Sequence, residues 1–268
     1  MKRKGKIILF IISVVAIVVA VAAAVVIRGN SVVGGLAVNI KSAGYTSLIS
    51  RSEMERSILE EFPGITSRRV RDVNTKSIES FMAKNPYVES VHAAVSVGGR
   101  VLVNIVARRP IVRVFYDNRD FYMDGYGHCF ASRVGVPCDV PVANGVFRQR
   151  LKGEPESLDI SKMAGDTLKS AYDIVGVWKL AKFLDDSKQG YSLLFDQIYV
   201  DDNGDLLLQP RLFNHEVVIG SPDKLEDKFA RLKIFYAKGL PHAGYDSYSR
   251  VSVKFDGQVV CTKRKQIK

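Results

Sequence analysis

The chain is 268 residues long, 47% apolar and 25% charged, with a formal net charge of +11. That length suffices for a sizeable core and for two modules. The surplus charge does not describe a body built to grip nucleic acid. Four positive charges lie in residues 1–6 and four more in Lys263, Arg264, Lys265 and Lys268; neither tail contains an acid, so the long stretch between them is nearly balanced.

The first element is Ile7 to Ile27, an uncharged run whose one polar side chain is Ser13. As a helix it is about 31 Å long, enough to cross a hydrocarbon core of roughly 30 Å. Lys2, Arg3, Lys4 and Lys6 precede it and only Arg28 follows closely. The positive-inside bias therefore keeps residues 1–6 in the cytoplasm and sends the rest outward. A cleaved signal peptide ending near Ala22, Ala23 and Ala24 is the rival reading, but its apolar region would be shorter than this one. The expectation is a single-pass protein of the inner (plasma) membrane.

Residues 28–35 read as a connector. Leu36 to Ile40 alternates as a first strand before the break from Lys41 to Gly44. Ser50 and Glu53 form a capping-box pair ahead of a helix whose apolar face is Met54, Ile58 and either Leu59 or Phe62, closed by Pro63-Gly64. A second helix starts near Asn74 or Thr75, carries Ile78, Phe81 and Met82, and stops at Asn85-Pro86. Two strands follow, Val91 to Val97 and Val101 to Ile105, joined through Gly98-Gly99 as a two-residue turn. Strand, helix, helix, strand, strand makes a small α+β module over 36–109.

A β-rich domain with accompanying helices is expected over 110–262, with 263–268 as a basic tail. Its strands are Ile111 to Tyr116 and Phe121 to Met123 around an Asp117-Asn118 turn, then Ile198 to Val200 and Leu206 to Leu208 around the acidic loop 201–205. That loop has Leu206 and Leu212 where a calcium loop needs glycine and glutamate, so a turn is the reading. Residues 134–144 read as loop and 162–185 as a helical stretch with Leu168 among its apolar positions. Ser221-Pro222 opens a helix with Leu225, Phe229 and Leu232 buried, ended by Gly239 and Pro241. In the last element Val251, Val253 and Phe255 point one way, Asp256-Gly257 turns or bulges, and Gln258, Val259 and Val260 continue. So near the terminus, it is expected at a sheet edge, open to another protein's strand.

No catalytic constellation emerges. His92, His128, His215 and His242 lack metal-ligand spacing, the serines lack a nucleophile context, and no glycine pair forms a phosphate loop. The expectation is a protein that is not an enzyme and needs no cofactor. Cys129, Cys138 and Cys261 are too few for a disulfide scaffold, although a Cys129–Cys138 bridge is open to a body outside the cytoplasm.

Four stretches carry a family resemblance. Asn85-Pro86-Tyr87-Val88-Glu89-Ser90-Val91, Ala107-Arg108-Arg109-Pro110, and Phe121-Tyr122-Met123-Asp124-Gly125-Tyr126-Gly127 are the first three; the fourth is Leu232 to Leu240 with Tyr248, Val251 and Asp256 to Cys261. In this order behind one anchor they resemble the bacterial cell-division family FtsQ/DivIB, with the C-terminal end resembling its Bacteroidetes branch. Ala107 stands where the family motif has an acid.

The resemblance implies a POTRA domain followed by a C-terminal β domain, in a divisome scaffold that coordinates septal peptidoglycan synthesis. It implies binding to the small coiled-coil proteins FtsB and FtsL by strand addition. Transferred to this chain, the partner-binding candidates are Tyr245, Tyr248, Arg250, Val251, Val253, Phe255, Gln258, Val259 and Val260, with Arg108, Arg109 and Pro110 at the domain junction. The alternatives are a POTRA-containing assembly or secretion component handling β-strand substrates, and a membrane-anchored cell-wall enzyme.

Overall fold

A computed structural model describes residues 2–42, 48–133 and 135–265, with the backbone alone for 2–8. Ala43 and Gly44 of the expected break, Val134 at the start of the expected loop, and Lys268 of the tail lie outside the described residues. The chain divides into two compact units, Met1–Arg108 and Arg109–Lys268.

The first unit opens with α1 (Lys2–Asn30), of which Leu9–Asn30 is long and apolar enough to span a membrane. There follow β1 (Leu36–Lys41), α2 (Arg51–Glu61), α3 (Thr75–Met82), β2 (Val88–Val95) and β3 (Val101–Ala107). The Ser50 hydroxyl accepts the Glu53 amide at 3.2 Å, and the Asn74 side-chain oxygen accepts the Ser77 amide at 3.1 Å, capping α2 and α3. β3 is central, antiparallel to β2 and parallel to β1. Met54 and Ile58 of α2, and Ile78 and Met82 of α3, close over Val38, Val101, Val103 and Ile105 of the sheet. Phe62 packs on this core whereas Leu59 faces solvent.

The hairpin between β2 and β3 differs from the two-residue expectation. The Ser96 amide donates to Arg100 O and the Gly99 amide to Ser96 O, leaving Val97, Gly98 and Gly99 as a three-residue loop. A two-residue turn of the favoured kind needs positive φ at its central positions. Here Gly99 alone adopts it, at 76°.

The second unit is a nine-stranded mixed sheet with helices packed on it. In chain order its elements are β4 (Pro110–Tyr116), β5 (Arg119–Asp124), β6 (Cys129–Ala131), β7 (Val142–Gly145), α4 (Ile160–Gly165), α5 (Asp173–Asp186), β8 (Phe195–Val200), β9 (Leu206–Pro210), β10 (Glu216–Gly220), α6 (Leu225–Ile234), α7 (Leu240–Ala243), β11 (Tyr248–Ser252) and β12 (Val260–Lys263). Across the sheet the order is β12-β11-β10-β9-β8-β7-β4-β5-β6. The core gathers Val112, Val114, Phe121, Ile198, Leu208, Val217 and Val251 from the strands, with Val177, Leu180, Leu184, Phe229 and Leu232 from α5 and α6. The Asp117-Asn118 turn has φ of 47° and 60°, as a tight hairpin turn requires.

Four expectations need correction here. Within 134–144, Val142 begins a strand, β7, which lies parallel to both β4 and β8. Its Val-Ala-Asn-Gly sequence has little strand propensity, but Ala143 is fully buried, and at Gly145 (φ 123°) any Cβ would collide with the Val200 main chain. The 162–185 helix is two helices separated at 166–172, and Leu168 is 84% exposed. Ser221-Pro222 does not start a helix; α6 begins at Leu225, after Lys224 in the left-handed region. Gly239 and Pro241 do not end that helical run, which passes through a π turn (Phe235–Gly239) into α7 and stops at Gly244.

A candidate partner-binding edge at the C-terminus

The end of the nine-stranded sheet is built from β10, β11 and β12. β11 runs parallel to β10, with Glu216 opposite Arg250 and Val217 opposite Val251. β12 returns antiparallel, with Arg250 opposite Thr262, Val251 opposite Cys261 and Ser252 opposite Val260. The sequence expectation of an edge strand at Arg250 to Phe255 is therefore corrected. β11 has neighbours on both sides, and the open edge belongs to β12.

The nine candidate residues separate into three groups. Val251 and Val253 are fully buried in the core, so neither side chain is presented to a partner. Tyr245 and Phe255 are 55% and 49% exposed, Val260 is 44% exposed, and Arg250 and Gln258 also face solvent. Tyr248 and Val259 are half-buried against the core. Arg250 is held across the ladder by Glu216, its Nη2 2.9 Å from Oε2. The Arg231 guanidinium donates to the carbonyls of Val253 and Phe255, at 2.9 and 3.2 Å, and so fixes the start of the β11–β12 connection.

The sequence expectation carries the last element no further than Cys261, yet the strand continues through Thr262 and Lys263. The signal available was alternation with a β-branched residue, and the lysine at its end masked it as tail. Strand geometry says which backbone groups are open. The Arg264 amide donates inward to Ser247 O at 2.9 Å, and the Thr262 carbonyl accepts the Ser249 hydroxyl. Because N–H and C=O alternate sides along a strand, Cys261 and Lys263 direct theirs away from β11. An incoming strand would meet those groups.

Beside this edge lies a group of aromatic side chains that sequence reading found only in part. Tyr245 stacks on Phe213 with ring centres 6.1 Å apart, and Phe213 stacks on His215 at 5.4 Å. His215 Nε2 is 2.9 Å from the Tyr236 hydroxyl, and Tyr248 packs on Phe235. His215 is 1% exposed, and burial, then the nearby Arg264 charge, hold its pKa below the usual histidine range. A concavity of about 790 Å³ borders the group, lined by Tyr245, Asp246, Tyr248, Lys263, Arg264 and Lys265 among others. The face offers main-chain hydrogen bonds, an aromatic shelf and positive charge.

The opposite sheet edge is less open. β6 is three residues long, Cys129 and Phe130 are buried, and the helical turn Pro155–Ser157 lies against it. Cys129, Cys138 and Cys261 are all unbridged. Among the described residues no group of three His, Cys, Asp or Glu side chains could hold a metal ion.

The junction residues are each tied into their own unit. Arg108 donates from Nε to Pro86 O at 2.9 Å and from Nη2 to Val88 O at 3.0 Å, joining the end of β3 to the Asn-Pro-Tyr-Val segment. Ala107, where the family motif has an acid, is buried beside it. Arg109 forms a two-pronged ion pair with Asp185 on α5. Pro110 opens β4 opposite Asp124.

A family model for a POTRA-like domain matches residues 31–106, and one described as FtsQ/DivIB, C-terminal related, matches residues 109–262. No curated protein matches the chain. With more than half of its length matched by the second model, the chain belongs to the FtsQ/DivIB C-terminal-related family, in which a POTRA-like domain here precedes the β-rich one.

Proposed function

We propose that this protein is a non-enzymatic, single-pass scaffold of the bacterial divisome. Its first residues lie in the cytoplasm, α1 crosses the inner membrane, and the rest of the first unit together with the second unit lies outside that membrane, at the division site. The C-terminal domain takes a strand from a small coiled-coil protein of the FtsB or FtsL kind onto β12, and through it coordinates the septal peptidoglycan synthase complex. The resemblance of its C-terminal segment to the Bacteroidetes branch supports reading it as a member of that branch. The observation that carries this reading is the outer side of β12, unpaired among the described residues, next to the exposed Tyr245.

In this reading Tyr245, Phe255 and Val260 supply contact, Arg250, Tyr248, Gln258 and Val259 shape the surface, and Val251 and Val253 hold the ladder beneath it. The positive charge of Lys263 and Arg264 favours acidic residues on the incoming strand.

Lys263→Pro tests it. Proline there removes an outward amide while leaving the inward bonds of Thr262 and Arg264 in place. The full chain, purified with its FtsB-like partner, should then bind at least about tenfold more weakly with an unchanged melting temperature, the loss of one interface hydrogen bond and its register being of that order. Undiminished binding would contradict strand addition.

A further inference from the structure

Five arginines from three separate stretches gather where α1 leaves its apolar run. Arg28 follows that run directly and donates to Ser96 O at 2.7 Å. The Val33 amide donates to Arg68 O, and the Val70 amide to Ser31 O, while Val32 bridges to Arg69. A Cβ added at Gly29 would lie 3.7 Å from the Arg71 Cβ, and Cβ atoms added at Gly34 and Gly35 would come within 4.0 Å of the Arg100 side chain. All five are exposed. Among the described residues only Arg71 has a carboxylate within ion-pair distance, the neighbouring Asp72 at 3.7 Å.

Two apolar side chains stand among these charges. Val97, at the tip of the β2–β3 loop, is 85% exposed, and Val32 is 60% exposed. Both belong to segments bonded to the arginines' own. Helix rise and extended reach put residue 32 no more than roughly 12 Å beyond Ile27. That is about the depth of a headgroup layer plus one screening length.

We infer that this collar seats the first unit on the membrane surface, the arginines binding phosphates of anionic phospholipids and Val97 entering the interface. The inference rests on the reading that α1 crosses the bilayer. Continuity with that helix selects lipid as the partner, because any phosphate within reach of Arg28 is first a headgroup phosphate. Arginine is the residue suited to it, its planar fork matching two phosphate oxygens at once. Four of the five lie outside the short flanks that set insertion direction or far along the chain from α1, so their presence does not oppose the outward topology.

The test uses the full chain in nanodiscs of brominated phosphatidylcholine, with or without about one-third phosphatidylglycerol, and the reporter Val97→Trp. The unsubstituted chain supplies the Trp178 baseline. Quenching at position 97 should be about threefold stronger with the anionic lipid, and should fall to the zwitterionic level when Arg68, Arg69, Arg71 and Arg100 are all changed to Gln, each charge near a surface being worth about fivefold in affinity. Ile17→Trp monitors the anchor separately. If Ile17→Trp is quenched while Val97→Trp stays at baseline in both lipids, the collar does not bind phospholipid and an acidic protein becomes its partner. If Ile17→Trp is not quenched, the membrane-spanning reading itself falls.

Discussion

Val251 lies directly opposite Cys261 across the β11–β12 ladder, and its other neighbour is Val217 on β10. A strand held on both sides cannot receive a third. That single pairing moves the free edge from Arg250–Phe255 to Val260–Lys263. It also separates residues that hold the surface from those that form it.

Val251 and Tyr245 should therefore behave oppositely. Val251→Ala removes fully buried methyls and should cost roughly 1.5–3 kcal/mol of stability. Tyr245→Ala should stay within about 0.5 kcal/mol of the parent in a denaturant melt, because more than half of the side chain is solvated. Partner affinity should drop for Tyr245→Ala at full folding. A stability loss for Tyr245→Ala equal to that of Val251→Ala would contradict the division.

Arg108 and Arg109 are adjacent in sequence but support different units. Trp178, the single tryptophan, sits on α5 in the second unit and reports on it alone. Arg109→Ala loses the Asp185 pair and should lower the unfolding free energy of the second unit by about 0.5–1 kcal/mol, seen as an earlier denaturant midpoint in Trp178 fluorescence. Arg108→Ala loses its bonds to Pro86 O and Val88 O, a cost of about 1–2 kcal/mol to the first unit. It should leave the Trp178 midpoint unmoved while far-UV circular dichroism shows an earlier transition. A shift at Trp178 from Arg108→Ala would break the assignment.

Acid should weaken the domain through His215. Its folded pKa is lowered by burial and by Arg264, whereas the unfolded chain titrates near 6.5. Below about pH 6.5 the unfolded state binds a proton that the folded state resists, so this contribution to stability is present above that pH and lost on acidification. The melting temperature should fall between pH 7.5 and 5.5, more steeply in the parent than in His215→Gln. Equal slopes would exclude His215 as the source. Among the described residues its Nδ1 has no hydrogen-bond partner, so none of them offers an acceptor for a new proton there.

Local periodicity made much of this fold legible. Ser50 and Asn74 announce their helices, Val101 to Ile105 alternates as an inner strand must, and Asp117-Asn118 forms the turn its residue types favour. What sequence concealed was set by distant neighbours. β7 is a strand because β4 and β8 flank it, since Val-Ala-Asn-Gly carries no strong preference of its own. Which strand is outermost is likewise a nonlocal fact, and the alternation of Val251 and Val253 fits an inner strand as well as an edge. Lys263 looked like tail because edge strands commonly end in charge. At the candidate site Tyr245 and Tyr248 were legible, whereas Phe213 and His215 join them only through the fold.

The most direct test of strand addition at β12 is residue-resolved hydrogen exchange along Val260 to Arg264, for the full chain alone and with its FtsB-like partner. Cys261 and Lys263 should exchange quickly when free and slowly in the complex. Thr262 and Arg264, bonded inward, should be protected in both. Protection of Cys261 and Lys263 that is the same with and without the partner, in a complex shown to have formed, would contradict strand addition at β12.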